Sequence, residues 1–266
     1  MHRFLAPVLT ALALAACGDG KPGDLARIPP PTSEVRGDGA RLSDLNDPAK
    51  PRPPQSSEVY VTGVTVLEVD RYDETSNGSS SGNIYAQDLP VAGEHLPYSG
   101  ITLFNVSFSP PTLRVAPGDV VDIRGAYEEF PGPASSPFED GKTLPEIVGG
   151  TISLRFEGQS PPPRTIALED LANYQTGRQW IGMLVRLENV VAQSPGFKAT
   201  SGRFSVRLDV PGMTGNALPA INNAFFDLEG SGLPFAQGTT YKEIIGVVQY
   251  FYSFTISPRS AADIVL

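Results

Sequence analysis

Few side chains in this sequence have both the type and the company to do chemistry. His95 lies in Gly93-Glu94-His95-Leu96-Pro97, a polar loop beside a proline, and the only other histidine is His2. A Ser-His-Asp type of site needs an imidazole held by partners, so His95 reads as an exposed loop residue. Cys17 is the one cysteine. That leaves no disulfide, no Cys-x-x-Cys pair and no set of three or four zinc ligands. Carboxylates are plentiful, 29 Asp and Glu against 20 Lys and Arg. Two of them are the minimum for glycoside hydrolysis, yet nothing marks out a pair, and the adjacent Glu128 and Glu129 would point to opposite faces of a strand. Asp70, Asp73, Glu74, Asn77 and Asn83 gather around one Gly/Ser-rich loop and offer the hard oxygen atoms that calcium takes. Their spacing lacks the glycine and glutamate of an EF-hand, and a solvated loop is the simpler reading. No Gly-rich phosphate loop is present. The expectation is a non-enzyme with no cofactor and no metal.

The elements that must position any site are strands. Of 266 residues, 27 are Gly and 26 Pro, which favours short strands and many turns. Val59–Val69 is rich in β-branched residues and reads as a strand bent at Gly63. Asn83–Asp88 and Gly100–Asn105 are short strands. The turn Val115-Ala116-Pro117-Gly118-Asp119 leads into Val120–Phe130, where Val121, Ile123 and Tyr127 alternate with Asp122 and Arg124. Leu144–Val148 is a fifth strand, extended by Ile152–Leu154. Further on, Ile166–Tyr174 is the one fair helix. Trp180–Val191, Arg203–Val210, Ala224–Leu228 and Tyr241–Ile256 read as strands, the last with a turn near Tyr252-Ser253. The fold class is all-β.

The N-terminus is a different kind of segment. Met1 to Ala16 has a basic start (Arg3) and an apolar run, too short to span a membrane and of the form of a secretory signal. Leu14-Ala15-Ala16-Cys17 resembles the lipobox of bacterial lipoproteins. That resemblance implies acylation (palmitate) of Cys17, a lipid-anchored chain in the bacterial cell envelope, and outer-membrane sorting, because Gly18 rather than Asp follows the cysteine. Residues 17–57 carry Pro29-Pro30-Pro31 and Pro51-Arg52-Pro53-Pro54 and no aromatic residue. They read as a disordered tether.

The order Gln87-Asp88, Gly100-Ile101-Thr102, Gly118-Asp119, Gly125 and Leu144-Pro145-Glu146-Ile147 resembles the OB-fold accessory domains of extracellular nucleases of the endonuclease/exonuclease/phosphatase type. The second half resembles their second accessory domain through Gly182-Met183-Leu184-Val185, Ile245-Gly246-Val247-Val248 and the tail Pro258-Arg259-Ser260-Ala261-Ala262-Asp263-Ile264. The resemblance implies two tandem, five-stranded Greek-key OB-like barrels, over 58–156 and 178–266, with a linker and short helix at 157–177. None of these motif residues is catalytic, and the resemblance stops short of a catalytic domain.

OB-folds bind through strands two and three and the flanking loops. In the first barrel that points to Tyr85 and Phe104, and in the second to Arg203, Arg207, Tyr250 and Tyr252, among the aromatic run Tyr250–Phe254. Residues 58–156 hold five basic and fourteen acidic residues, whereas 178–266 hold seven and six. The first barrel would repel nucleic acid, and the second would tolerate it only through Arg203 and Arg207. The expected function is a membrane-tethered binding or scaffold module for a protein or glycan partner. Two alternatives stay open: an accessory that binds extracellular DNA, and a hydrolase with an unrecognised carboxylate site.

Overall fold

The computed structural model describes residues 36–72, 82–91 and 93–266. Cys17 and the expected signal segment lie outside these residues, as do Asp73, Glu74 and Asn77 of the loop read as solvated rather than calcium-binding. The chain is all-β, in two sheets of six and eight strands.

The first sheet comprises β1 (Ser57–Val69), β2 (Ile84–Asp88), β3 (Gly100–Phe104), β4 (Ser107–Ser109), β5 (Val120–Phe130) and β6 (Leu144–Phe156). β1 is antiparallel to both β2 and β5, β2 to β3, and β5 to β6, while β3 runs parallel to β6. These pairings close a ring. The bend expected at Gly63 is present: its φ is +66°, and the register against β5 shifts between Val61 and Val64. A second shift falls at Gly125, where a Cβ would stand 2.6 Å from Ile147 Cγ2. Such bulges bend strands enough to close a small barrel. Inside lie Val61, Val64, Ile101, Leu103, Ile123 and Ile147. The alternation in β5 holds, with Val121, Ile123 and Tyr127 buried and Arg124 exposed.

The second sheet comprises β7 (Arg164–Thr165), β8 (Leu184–Val191), β9 (Phe197–Lys198), β10 (Phe204–Arg207), β11 (Ala220–Asn222), β12 (Thr240–Phe251), β13 (Ser253–Ser257) and β14 (Ile264–Val265). β8 pairs with β12, β12 with β13, and β11 with β10, all antiparallel, while β13 runs parallel to β11. Among the described residues the seam between β8 and β10 is stitched only by the Ala192–Leu208 bridge and the bonds Asp209 N to Val191 O and Gln193 N to Arg207 O, both 2.8 Å. Both rings thus follow one strand order, each with a single parallel pair.

Several local expectations are corrected. The helix expected over Ile166–Tyr174 is a 3-10 turn, Leu168–Leu171, followed by a one-turn helix at Tyr174–Gly177, because Asn173 is extended and caps a new turn by accepting from the Thr176 amide. Residues 157–177 are not merely a linker, since Leu168, Leu171 and Tyr174 belong to the second core. The strand expected from Trp180 begins at Leu184, after the left-handed Gly182 (φ +76°). The strand expected at Ala224–Leu228 forms instead at Ala220–Asn222.

The tether is corrected over residues 36–57. α1 (Leu42–Asn46) puts Leu42, 0% exposed, and Leu45 into the first core. The Asp88 carboxylate holds this turn by accepting from the Leu42 amide at 3.0 Å and the Ser43 amide at 2.9 Å. Leu42→Ala is therefore expected to cost about 2–5 kcal/mol in a urea unfolding curve. A change within error would mean that this turn does not contribute to the core.

Candidate functional site

The two sheets meet through backbone. A methyl group at Gly100 would overlap the backbone of Gly182, and one at Gly182 would overlap the Ile101 amide nitrogen. Around this approach Leu67 and Tyr85 from the first sheet pack against Leu184 and Val247 from the second. Gln87 is the polar bolt: its Oε1 accepts from the Leu184 amide at 2.9 Å, and its Nε2 donates to His95 Nδ1 at 2.7 Å. His95 is thus 5% exposed, not the exposed loop residue expected. Burial, and secondarily the Arg164 charge, push its pKa down. Its carbonyl accepts from Arg164 Nη1 at 2.8 Å.

A second polar cluster clamps the junction. Glu129 of β5 accepts from Tyr127 Oη and Arg178 Nη2, both at 2.7 Å, and from Thr143 Oγ1 at 2.5 Å. Arg178 Nη1 also reaches Thr143 Oγ1, and Tyr174 Oη donates to the Thr143 carbonyl. Burial opposes ionisation of Glu129, but Arg178 and the two hydroxyls outweigh it and hold its pKa below the usual carboxylate range.

The expected binding residues are not brought together. Tyr85 (5% exposed) lies in the sheet junction, edge-on to Phe225. Tyr250 (4%) packs in the second core against Phe138, Tyr174 and Phe254. Both are packing residues, which corrects their placement on a ligand face: the outer surface of each ring is covered where the sheets and connecting loops meet. Phe104 is half-buried at the end of β3. Tyr252 stays exposed at 46%, at a left-handed turn (φ +65°) that breaks the strand alternation, and its hydroxyl donates to the Ser136 carbonyl. Arg203 lies over the Tyr72 ring, 4.3 Å from its centroid, and neither Arg203 nor Arg207 is without a partner. The tail motif is structural as well, because Arg259 and Asp263 form a two-pronged ion pair.

The concave feature that sequence reading missed is a solvent-open cleft of about 750 Å³ beside the β8–β10 seam. Its lining includes the apolar Ile166, Leu168, Val190 and Trp180 and the acidic Glu169, Asp170, Glu188 and Asp209. Arg164 is the single basic lining residue. Its guanidinium sits 5.7 Å from the centroid of the Trp180 ring while donating to His95 O, so the Gln87–His95 bolt positions it. Asn189, also lining the cleft, holds a left-handed φ of +54°, a conformation uncommon outside glycine. The one visible signal was Trp180, the only tryptophan of the chain. The adjacent Glu169 and Asp170 lie too far in sequence from Glu188 and Asp209 for the four to be read as a group. Among the described residues, no group of three or more His, Cys, Asp or Glu is placed to hold a metal.

One further carboxylate titrates unusually. Glu146 of β6 lies directly opposite Glu128 of β5 and in register with Thr102 of β3. It is 7% exposed, and burial together with the Glu128 charge raises its pKa to about 7. Between the ordinary carboxylate range and about 7, the folded chain keeps a proton that the unfolded chain has released. Stability therefore falls as pH rises through that window, by about 3 kcal/mol at ~1.4 kcal/mol per pKa unit. Glu146→Gln is expected to flatten this slope in unfolding curves taken at pH 5 and 8, and an unchanged slope would assign it to other groups.

No protein-family model matches the chain, and no curated protein matches it.

Proposed function

We propose that this protein is a non-enzymatic, lipid-anchored binding module whose second barrel holds a glycan partner in the Trp180 cleft. The observation that carries the reading is the cleft itself. It brings buried apolar residues, Trp180 among them, together with four acidic residues and one positioned guanidinium, the mixture of apolar and oriented polar groups that small-ligand sites use. Its lining is net acidic, which weighs against a nucleic-acid ligand, as does the engagement of Arg203 and Arg207. The shared strand order of the two rings supports OB-like barrels, the architecture implied by the resemblance to nuclease accessory domains. Among the described residues no helix is long and apolar enough to cross a membrane. In this reading the anchor is acylated Cys17, at the outer membrane of a bacterial envelope.

The test uses the chain's own reporter. Because Trp180 is the only tryptophan, oligosaccharide binding in the cleft should shift the intrinsic emission saturably. An unchanged spectrum across a panel of envelope glycans at millimolar concentration sinks the reading. Turnover of a bound oligosaccharide would instead revive a carboxylate-dependent hydrolase. For the anchor, labelled palmitate should enter the native chain and not Cys17→Ser, with the variant recovered in the soluble fraction. Equal labelling of both would rule out Cys17 as the acylated residue.

A further inference from the structure

The Gln87–His95 bolt has a polarity that its own atoms fix. A backbone amide only donates, so the Gln87 oxygen faces the Leu184 N–H across 2.9 Å. That turns the Gln87 nitrogen, also a donor only, toward His95 Nδ1 at 2.7 Å. Nδ1 is then the acceptor, and the proton of the neutral imidazole sits on Nε2. The bolt spans the two sheets, because Gln87 belongs to β2 and Leu184 opens β8, with His95 in the loop between β2 and β3. Gln87 is fully buried and His95 nearly so, and water does not stand in for a lost partner there.

We propose that this bolt is an acid-sensitive latch between the two sheets, in which a second proton on the His95 ring releases Gln87 from one of its two partners. A proton on Nδ1 sets two donors face to face. Either the ring withdraws, or the Gln87 amide turns over and presents its nitrogen to the Leu184 N–H, leaving that buried donor unmatched. Withdrawal of the ring also disturbs the His95 carbonyl, which anchors Arg164 over Trp180. The charged groups nearby do not hold an imidazolium in place. Arg164 of β7 opposes a second positive charge. The Asp88 carboxylate of β2 is taken up by the Leu42 and Ser43 amides of α1, and Glu94 is exposed on the loop. Burial outweighs the pull of the Pro162 carbonyl, so the folded ring protonates below the ordinary imidazole value of 6.5. The unfolded chain takes up this proton first, and stability present at neutral pH is lost as pH falls through the folded value. The direction is opposite to that of Glu146.

The experiment follows the His95 ring and the Leu184 amide by NMR in the full chain from pH 8 to pH 4. Protection of the Leu184 amide against hydrogen exchange should fall at least about tenfold, the worth of one buried hydrogen bond, with the same midpoint as the ring. His95→Gln keeps an acceptor for Gln87 without a titrating proton, and its Leu184 protection should stay level over this range. Gln87→Glu offers a carboxylate that accepts from the Leu184 amide and from an imidazolium at once, so the ring midpoint should move up. Unfolding midpoints at pH 8 show whether each variant is folded, and the comparison of ring and amide in the native chain needs neither variant. A ring that titrates while Leu184 protection is unchanged overturns the latch. An equal fall in His95→Gln overturns it by assigning the effect to other groups, and a ring that stays neutral down to pH 4 in the folded chain overturns it as well.

Discussion

Gly182→Ala should lower the stability of the folded chain by about 2–6 kcal/mol, a large share of the ~5–15 kcal/mol that holds a typical domain. Two costs add. At φ +76° a side chain enters the left-handed region, which costs about 1–3 kcal/mol for a residue other than glycine. The new methyl also overlaps the Ile101 amide of the facing sheet, and overpacking of this kind adds about 1–3 kcal/mol because backbone must move. Gly141→Ala separates the two costs. Its φ is +80°, but nothing lies within 4 Å of a Cβ there, so it should lose only the left-handed cost, about 1–2 kcal/mol. Equal losses in guanidinium unfolding of the two variants would show that the sheet–sheet approach contributes no specific packing at Gly182.

Arg178→Ala should cost about 3–5 kcal/mol at neutral pH, because it leaves the Glu129 carboxylate at the sheet junction with its strongest partner gone. The Arg178 side chain is 8% exposed and that of Glu129 15%, so water replaces the lost guanidinium poorly. Arg52, at 3.5 Å from Glu129 Oε1, offers partial compensation. The pH dependence follows from the depressed Glu129 pKa. Its contribution is present above the unfolded carboxylate pKa and is lost as pH falls through the folded value. The gap between native chain and Arg178→Ala should therefore narrow on acidification. Arg178→Met with Glu129→Gln should recover much of the loss, since removing both charges removes the unpaired one. A double variant as unstable as the single one would place the loss in packing of the Arg178 stem rather than in its charge.

Strand content was legible because strand periodicity is local. The alternation of Val121, Ile123 and Tyr127 follows from the two-residue repeat, and glycine at 63 and 125 follows from the bends a closed ring needs. α1 was not legible. Two leucines three residues apart in a Pro-rich, charged stretch make a single helical turn, too short for a period to show and stable only through what it packs on. His95 and Tyr85 failed for a related reason. Tyr85 was placed on an outward face of its strand, which the neighbouring sheet then covers, and His95 was read from its polar loop, which the bonds to Gln87 and Arg164 hold down.

The amino-acid sequence by itself determined that this is an acidic, all-β protein with one cysteine, one tryptophan and turns placed to fold short strands into rings. Tertiary structure alone decided which outward faces became interior and where the open surface lies. Glu169, Glu188, Asp209 and Trp180 share a cleft because β8 and β10 join at one narrow seam while the Leu168 turn docks beside it. Those are long-range pairings. A one-dimensional pattern carries the period of each strand, whereas the meeting of side chains from separate strands is set by ring closure and by the contact between sheets.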